Sequence, residues 1–203
     1  MHAACLFSGG KDSVYATFWA ISQGWEVTLV CIKSEEYSMM FHHPNVNKTR
    51  LQAKELGLEI EYIETTKENE LKDLKNKLKK LKITGIVSGA LRSEYQKERI
   101  ERIGEELGIP TYSPLWHKEN VIEEEVKKYF EVYVVSVSAE GLNEKHLGME
   151  FKKIPKLPGV HSMFEGGEAE TFVSNAPFFK NRIKIKGWKK KWDGVRGVAE
   201  VIV

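Results

Sequence analysis

Residues 4–13 read Ala-Cys-Leu-Phe-Ser-Gly-Gly-Lys-Asp-Ser, an apolar strand that empties directly into a glycine turn opening a helix. That junction constrains the fold more than any other stretch, because it commits the chain to a strand–turn–helix unit with an anion site at its tip. Gly9 and Gly10 admit backbone conformations closed to residues with side chains, so consecutive N–H groups can converge on one phosphate. The helix N-terminus behind them adds partial positive charge. Lys11 supplies a cation, and the Ser8 and Ser13 hydroxyls supply further donors.

Spacing decides which nucleotide loop this is. A Walker A loop needs four residues between its glycines and a hydroxyl directly after the lysine, whereas here the glycines adjoin and Asp12 follows Lys11. The dinucleotide fingerprint fails for want of a third glycine after Gly10. What remains, S-G-G-K-D-S, resembles the signature of the PP-loop (N-type) ATP pyrophosphatases, which split ATP into AMP and pyrophosphate.

Downstream, the apolar pattern alternates between short runs and helical periodicity. Strands are predicted over 3–7, 27–32, 58–63, 83–88, 109–112 and 132–137. Helices are predicted over 13–23, 45–56, 67–82, 93–107 and 119–129, with Gly24, Gly57 and Gly108 as stops. Such alternation predicts an α/β fold, a parallel sheet with helices on both faces. Ligands in such sheets bind where strand order reverses. Three loops at strand ends, residues 8–13, 34–43 and 88–95, are therefore expected to line one cleft.

After residue 139 the alternation stops. The expected division is an ATP-binding domain over 1–139 and a smaller C-terminal α+β subdomain over 140–203. The latter closes in a β-hairpin of strands 182–188 and 195–203 around Asp193-Gly194. Eight basic residues and a single acid, Asp193, fall between Lys180 and Arg196, leaving 23 of the 31 basic residues against 28 of the 29 acidic ones elsewhere. The tail is thus basic on an acidic body. This hairpin reads most simply as a solvated edge protected by charge, with docking to a ribosomal-factor or RNA surface as the alternative. Nucleic acid as a partner is open but not favoured.

With 203 residues, 41% of them hydrophobic, the chain has enough for a sizeable core, and its net charge of +2 says little about partners. Cys5 and Cys31 fall in apolar strands with no C-x-x-C spacing, which suits buried thiols in a reducing compartment. No apolar run reaches the length of a membrane span, and no leader pattern precedes Lys11. A cytoplasmic protein without a membrane partner is expected.

Glu165, Glu168 and Glu170 crowd into a glycine-rich stretch with Gly166, Gly167 and Thr171. Like charges so close repel unless a cation or substrate group sits among them.

The chain as a whole resembles the diphthine–ammonia ligase family, an archaeal and eukaryotic branch of the PP-loop superfamily. The segments that carry the likeness are S-G-G-K-D-S at 8–13, Y-S-M-M-F-H-H-P-N at 37–45, V-S-G-A-L-R-S-E-Y-Q-K-E-R-I-E at 87–101, P-L-W at 114–116, S-A-E-G-L-N-E-K-H-L-G at 138–148, E-G-G-E-A-E-T-F-V at 165–173 and P-F-F-K at 177–180. The resemblance implies a Rossmann-like sheet of the HUP type, adenine nucleotide alpha hydrolase-like. It also implies ATP-dependent amidation of diphthine, on translation elongation factor 2, to diphthamide through an acyl-adenylate that ammonia attacks. ATP and Mg²⁺ are the implied cofactors, with elongation factor 2 and free ammonia as partners.

On that reading Lys11, Asp12, Glu168 and Glu170 are the catalytic candidates, with Asp12 also the candidate for Mg²⁺. ATP would be held by Ser8, Gly9, Gly10, Lys11, Asp12 and Ser13. Ile32, Lys33, Met40 and Phe41 would meet the adenosine; Ser88, Gly89, Ala90, Tyr95 and Arg99 would complete the nucleotide side. Trp116, Glu140, Glu165, Gly166, Gly167 and Thr171 would face the substrate.

The chain departs from the family pattern at Phe164, where a glycine is expected, at Ala169, and at Asn143, His146 and Met149. Two other functions stay open: a tRNA-modifying PP-loop enzyme, and a non-catalytic ATP-binding module. His42-His43 lacks the spacing of a metal site. A built-in glutaminase is disfavoured for want of an activated cysteine.

Overall fold

The computed structural model describes residues 1–33, 45–66, 68–138 and 141–203. Met40, Phe41, His42, His43 and Glu140, and the whole of the 34–43 loop, lie outside the described residues.

Five strands form a parallel sheet: β1 (His2–Leu6), β2 (Glu26–Lys33), β3 (Glu59–Glu64), β4 (Gly85–Val87) and β5 (Thr111–Tyr112), in the order β3-β2-β1-β4-β5. The connecting helices are α1 (Lys11–Ser22), α2 (Thr49–Leu56), α3 (Glu70–Lys80) and α4 (Glu94–Leu107). Strand order reverses between β1 and β4, which puts the loops after these two strands at the switch point of the sheet.

Alternation along β1 shows how the sheet is covered. Ala4 enters a cluster with Leu74 and Leu78 of α3 and Ile100 and Ile103 of α4. The next residue, Cys5, points the other way and meets Thr17 of α1. Helices therefore flank both faces. Leu74 and Leu78 are buried almost completely, and each contributes roughly 1.5–3 kcal/mol of apolar burial. Ser93 caps α4 by accepting the Gln96 N–H, and Gly108, at φ 67, ends it in the left-handed conformation.

A second sheet is antiparallel, with the order β7-β6-β9-β8: β6 (Glu131–Val137), β7 (Ala169–Asn175), β8 (Gly187–Trp192) and β9 (Gly197–Ile202). Helix α5 (Glu119–Tyr129) leads into it. The core of this sheet gathers Val135, Phe172, Ile183 and Val201, with Leu51 of α2 and Trp188 packed against them.

Three sequence expectations are corrected here. The strand at 132–137 does not continue the parallel series; it pairs antiparallel with β7 and β9. Its burial alternates, with Tyr133 and Ser136 less buried than their neighbours, as in a sheet with one solvated face. The stretch beyond Glu168, where no strand is predicted, forms β7. The first hairpin strand begins at Gly187, because Ile183 and Ile185 pack into the core ahead of the paired segment.

The described residues fall into two compact units. One holds the parallel sheet with α3, α4 and α1 from Asp12 onward. The other holds the antiparallel sheet, α2 and α5, together with Gly9, Gly10 and Lys11.

Candidate active site

In the unit of the antiparallel sheet, the glycine turn lies along the outer edge of β7. Gly9, at φ +81, presents its carbonyl to the Val173 N–H at 3.2 Å and to Gln52 Nε2 at 2.8 Å. The Lys11 N–H donates to Thr171 Oγ1 at 3.0 Å. One helix-terminal donor that the sequence assigned to phosphate is thus occupied by a threonine from the far end of the chain. Lys11 is only 3% exposed, and its ammonium lies 5.9 Å from the centre of the Phe164 ring.

Phe164 holds φ +59, a conformation unusual for a bulky residue and natural for glycine. That accounts for the glycine of the family pattern. The strain is offset by burial and by an edge-to-face contact with Phe151 at 5.4 Å.

The glutamates separate by role. Glu168 is buried, and its carboxylate accepts the N–H groups of His161 and Gly166, both at 2.8 Å. Two backbone donors thus meet its charge. A side chain on Gly166 would collide with that carboxylate. Burial pushes the Glu170 carboxyl up to about 8, with Lys11 pulling the other way. Glu165 is half-buried, and Gly166 and Gly167 are exposed.

In the unit of the parallel sheet, Ser8, Asp12 and Ser13 stand beside the turn that follows β4. Ser8 gives both its N–H and its hydroxyl to Ser13 Oγ, each at 3.2 Å. A Cβ on Gly89 would fall 2.9 Å from the Asp12 carbonyl carbon and the Ser13 nitrogen, so only glycine lets these two backbones approach. The 8–13 and 88–95 loops therefore do meet here. Ser88 bonds Ser113 at 3.0 Å, and Ala90 is buried.

The other nucleotide candidates are placed as follows. Ile32 is buried in the sheet core. Lys33 lies over the Tyr62 ring at 4.4 Å. The Arg99 guanidinium stacks on Tyr95 at 3.2 Å, so these two face each other on exposed helix surface. Trp116 is flanked by the Lys97 ammonium at 5.2 Å and by His117.

Cys5 and Cys31 are buried, and burial pushes the Cys5 thiol up to about 12, far from a nucleophile's range. Among the described residues no three His, Cys, Asp or Glu side chains are grouped to hold a metal. Magnesium suits such a donor set only as a partner shared with nucleotide phosphates, held by one carboxylate, and Asp12, in the first turn of α1, fits that part. No helix among the described residues is long and apolar enough to cross a membrane.

Sequence reasoning missed Gln52 and Asn45. Asn45 is buried and clasps β9, donating to the Ala199 carbonyl and accepting the Val201 N–H, both at 2.9 Å. Gln52 is buried completely, an unusual setting for an amide in an otherwise polar helix. Asn143 and His146, two of the departures from the family pattern, cap each other in a reciprocal box.

A glycine turn at the switch point of a doubly wound parallel sheet marks an α/β protein of the class that binds its ligands at this end of the sheet. Comparison with known proteins makes this specific. Residues 1–111 match the diphthamide synthase N-terminal domain, and residues 117–202 match the diphthamide synthase C-terminal domain. The chain belongs to the diphthamide synthase family. A diphthine–ammonia ligase of Rattus norvegicus is 31% identical over 221 residues, spanning 91% of this chain and 83% of that protein. The Homo sapiens diphthine–ammonia ligase is 30% identical, spanning 90% and 82%. The Saccharomyces cerevisiae diphthine–ammonia ligase is 28% identical across 89% of this chain but only 34% of its own length. Among solved structures, a predicted subunit of tRNA methyltransferase from Methanocaldococcus jannaschii superposes with a TM-score of 0.53 at 16% identity, over 87% of this chain and 98% of that one. That likeness is one of fold.

Proposed function

We propose that this protein is a diphthine–ammonia ligase that uses ATP to convert the diphthine carboxylate of a modified protein, elongation factor 2, to the carboxamide of diphthamide. The observation that carries the reading is continuous family membership: both domains match, and relatives about 30% identical over nine-tenths of the chain bear this activity in their names. Neither the tRNA-modifying nor the non-catalytic alternative is favoured by those relatives.

The chemistry is adenylation followed by aminolysis. The diphthine carboxylate attacks the α-phosphorus of ATP, pyrophosphate leaves, and ammonia displaces AMP. The protein's part is positioning and neutralisation of charge that develops on the phosphates. Lys11 stands at the turn as the cation for pyrophosphate. Ser8, Gly9, Gly10 and Ser13 shape that turn, and Gly89 lets the 88–95 loop approach the backbone of Asp12 and Ser13. Asp12 would hold Mg²⁺ beside the phosphates, where the ion would neutralise charge on the leaving group. Glu170 is the candidate for the ammonia side: burial raises its carboxyl to about 8, which makes its ionised form the stronger base, and in that form it can take a proton from the attacking nitrogen. Glu168 acts through the loop it organises. Both cysteines are buried, and free ammonia is the proposed nitrogen source. The cytoplasm is the proposed site of action.

Purified protein incubated with ATP, Mg²⁺, ammonium and diphthine-bearing elongation factor 2 should release AMP and convert carboxylate to carboxamide at the modified histidine, read by mass spectrometry. AMP-free reactions with an unchanged histidine would refute the reading.

A further inference from the structure

Gln52 is among the largest fully buried side chains of the described residues. Its Nε2 donates to two carbonyls, Gly9 and Val173, each at 2.8 Å. Val173 belongs to β7 and turns both its backbone groups toward the loop, since its N–H donates to the same Gly9 carbonyl at 3.2 Å. The amide of Gln52 thus stands where a further strand would otherwise complete the β7 edge. Its Oε1 is buried, with no hydrogen-bond partner among the described residues, and faces the Gly9 Cα, where an added Cβ would fall 2.2 Å away. A buried polar atom left in this state costs free energy, which the two bonds from Nε2 must offset.

We propose that Gln52 is a positioning residue for the phosphate loop: it fixes the Gly9 carbonyl against β7 and so sets the direction in which the turn presents its remaining N–H groups to ATP. The same strand carries Thr171, which holds the Lys11 N–H. Gln52 and Thr171 therefore pin the two ends of the Gly9–Lys11 segment to one strand. The inference rests on the reading that this loop binds ATP phosphates, but not on the identity of the acceptor.

Gln52→Met keeps the length of the side chain and removes both donated bonds. In the full-length protein it is expected to weaken ATP binding, measured by calorimetry without acceptor, by about tenfold. Amide exchange over the loop should quicken, while the KM for the diphthine-bearing protein at saturating ATP should hold. A purely structural role would lower the unfolding midpoint and leave ATP affinity unchanged within twofold; that outcome overturns the proposal. Should Gln52→Met fail to fold, Gln52→Glu retains the length, and its buried acid, when protonated, can still donate one of the two bonds. It is expected to bind ATP with intermediate affinity, and wild-type affinity there also overturns the proposal. Wild-type protein that binds ATP but amidates nothing sinks the acceptor assignment and leaves Gln52's role standing. Wild-type protein that does not bind ATP overturns both.

Discussion

The backbone N–H of Lys11 donates to the hydroxyl of Thr171 at 3.0 Å, although 160 positions separate the two residues. The first N–H groups of a helix have no partner within it, and here a strand from the other end of the chain supplies one. The phosphate loop is consequently shaped by β7 as much as by its own glycines. Thr171→Val, which keeps shape and removes the hydroxyl, should cost about 1–2 kcal/mol of stability in urea unfolding and should weaken ATP binding. Thr171→Ser should restore both. If the valine variant matches wild type in each assay, the hydroxyl has no such part.

Lys11 is the cation assigned to the departing pyrophosphate. Lys11→Gln removes that charge from a site that is 3% exposed, and should lower the rate of AMP formation by about 10²–10³-fold. Single-turnover kinetics at saturating ATP separates this from an effect on binding. Activity within a few-fold of wild type would remove Lys11 from the chemistry.

Gly89 tests the close approach of the two switch-point loops. With an added Cβ 2.9 Å from the backbone of Asp12 and Ser13, Gly89→Ala must push one loop away from the other. The KM for ATP should rise by about tenfold or more, since misplacements of an ångström carry penalties of that order. An unchanged KM would mean that the 88–95 loop has no share in nucleotide binding.

The fold of the first hundred or so residues was legible because each strand–helix unit is local: apolar periodicity, the Ser93 cap and the Gly108 stop lie within a few positions of the elements they define. The glycine turn was legible for the same reason. Partners chosen at long range were not. Nothing in the sequence around residue 134 tells β6 to pair with β7 and β9 rather than join the parallel sheet. Gln52 sits in a charged helix, and its bonds reach 43 and 121 positions along the chain, so no local pattern marks it. The clustered glutamates are visible in the sequence as charge, but the partners of Glu168 are not, because the donors that reach it are backbone groups.

Glu170 gives the protein a distinctive pH dependence. Its carboxyl moves from an ordinary 4.5 to about 8 on folding, chiefly through burial. Between these values the folded state keeps a proton that the unfolded chain has released, so this residue's contribution to stability is full below 4.5 and falls as pH rises through 8. The stability difference between wild type and Glu170→Gln, from urea unfolding across that window, should therefore shift steadily against wild type as pH increases. A difference that does not vary with pH would show that the carboxyl titrates normally.

The central claim is that a protein carboxylate, not water or RNA, attacks ATP. The direct test is to label the diphthine carboxylate with oxygen-18 and supply ATP, Mg²⁺ and ammonium. An acyl-adenylate route predicts AMP carrying one labelled oxygen, formed in step with carboxamide on the modified histidine. Unlabelled AMP, or carboxamide formed without AMP, would contradict it.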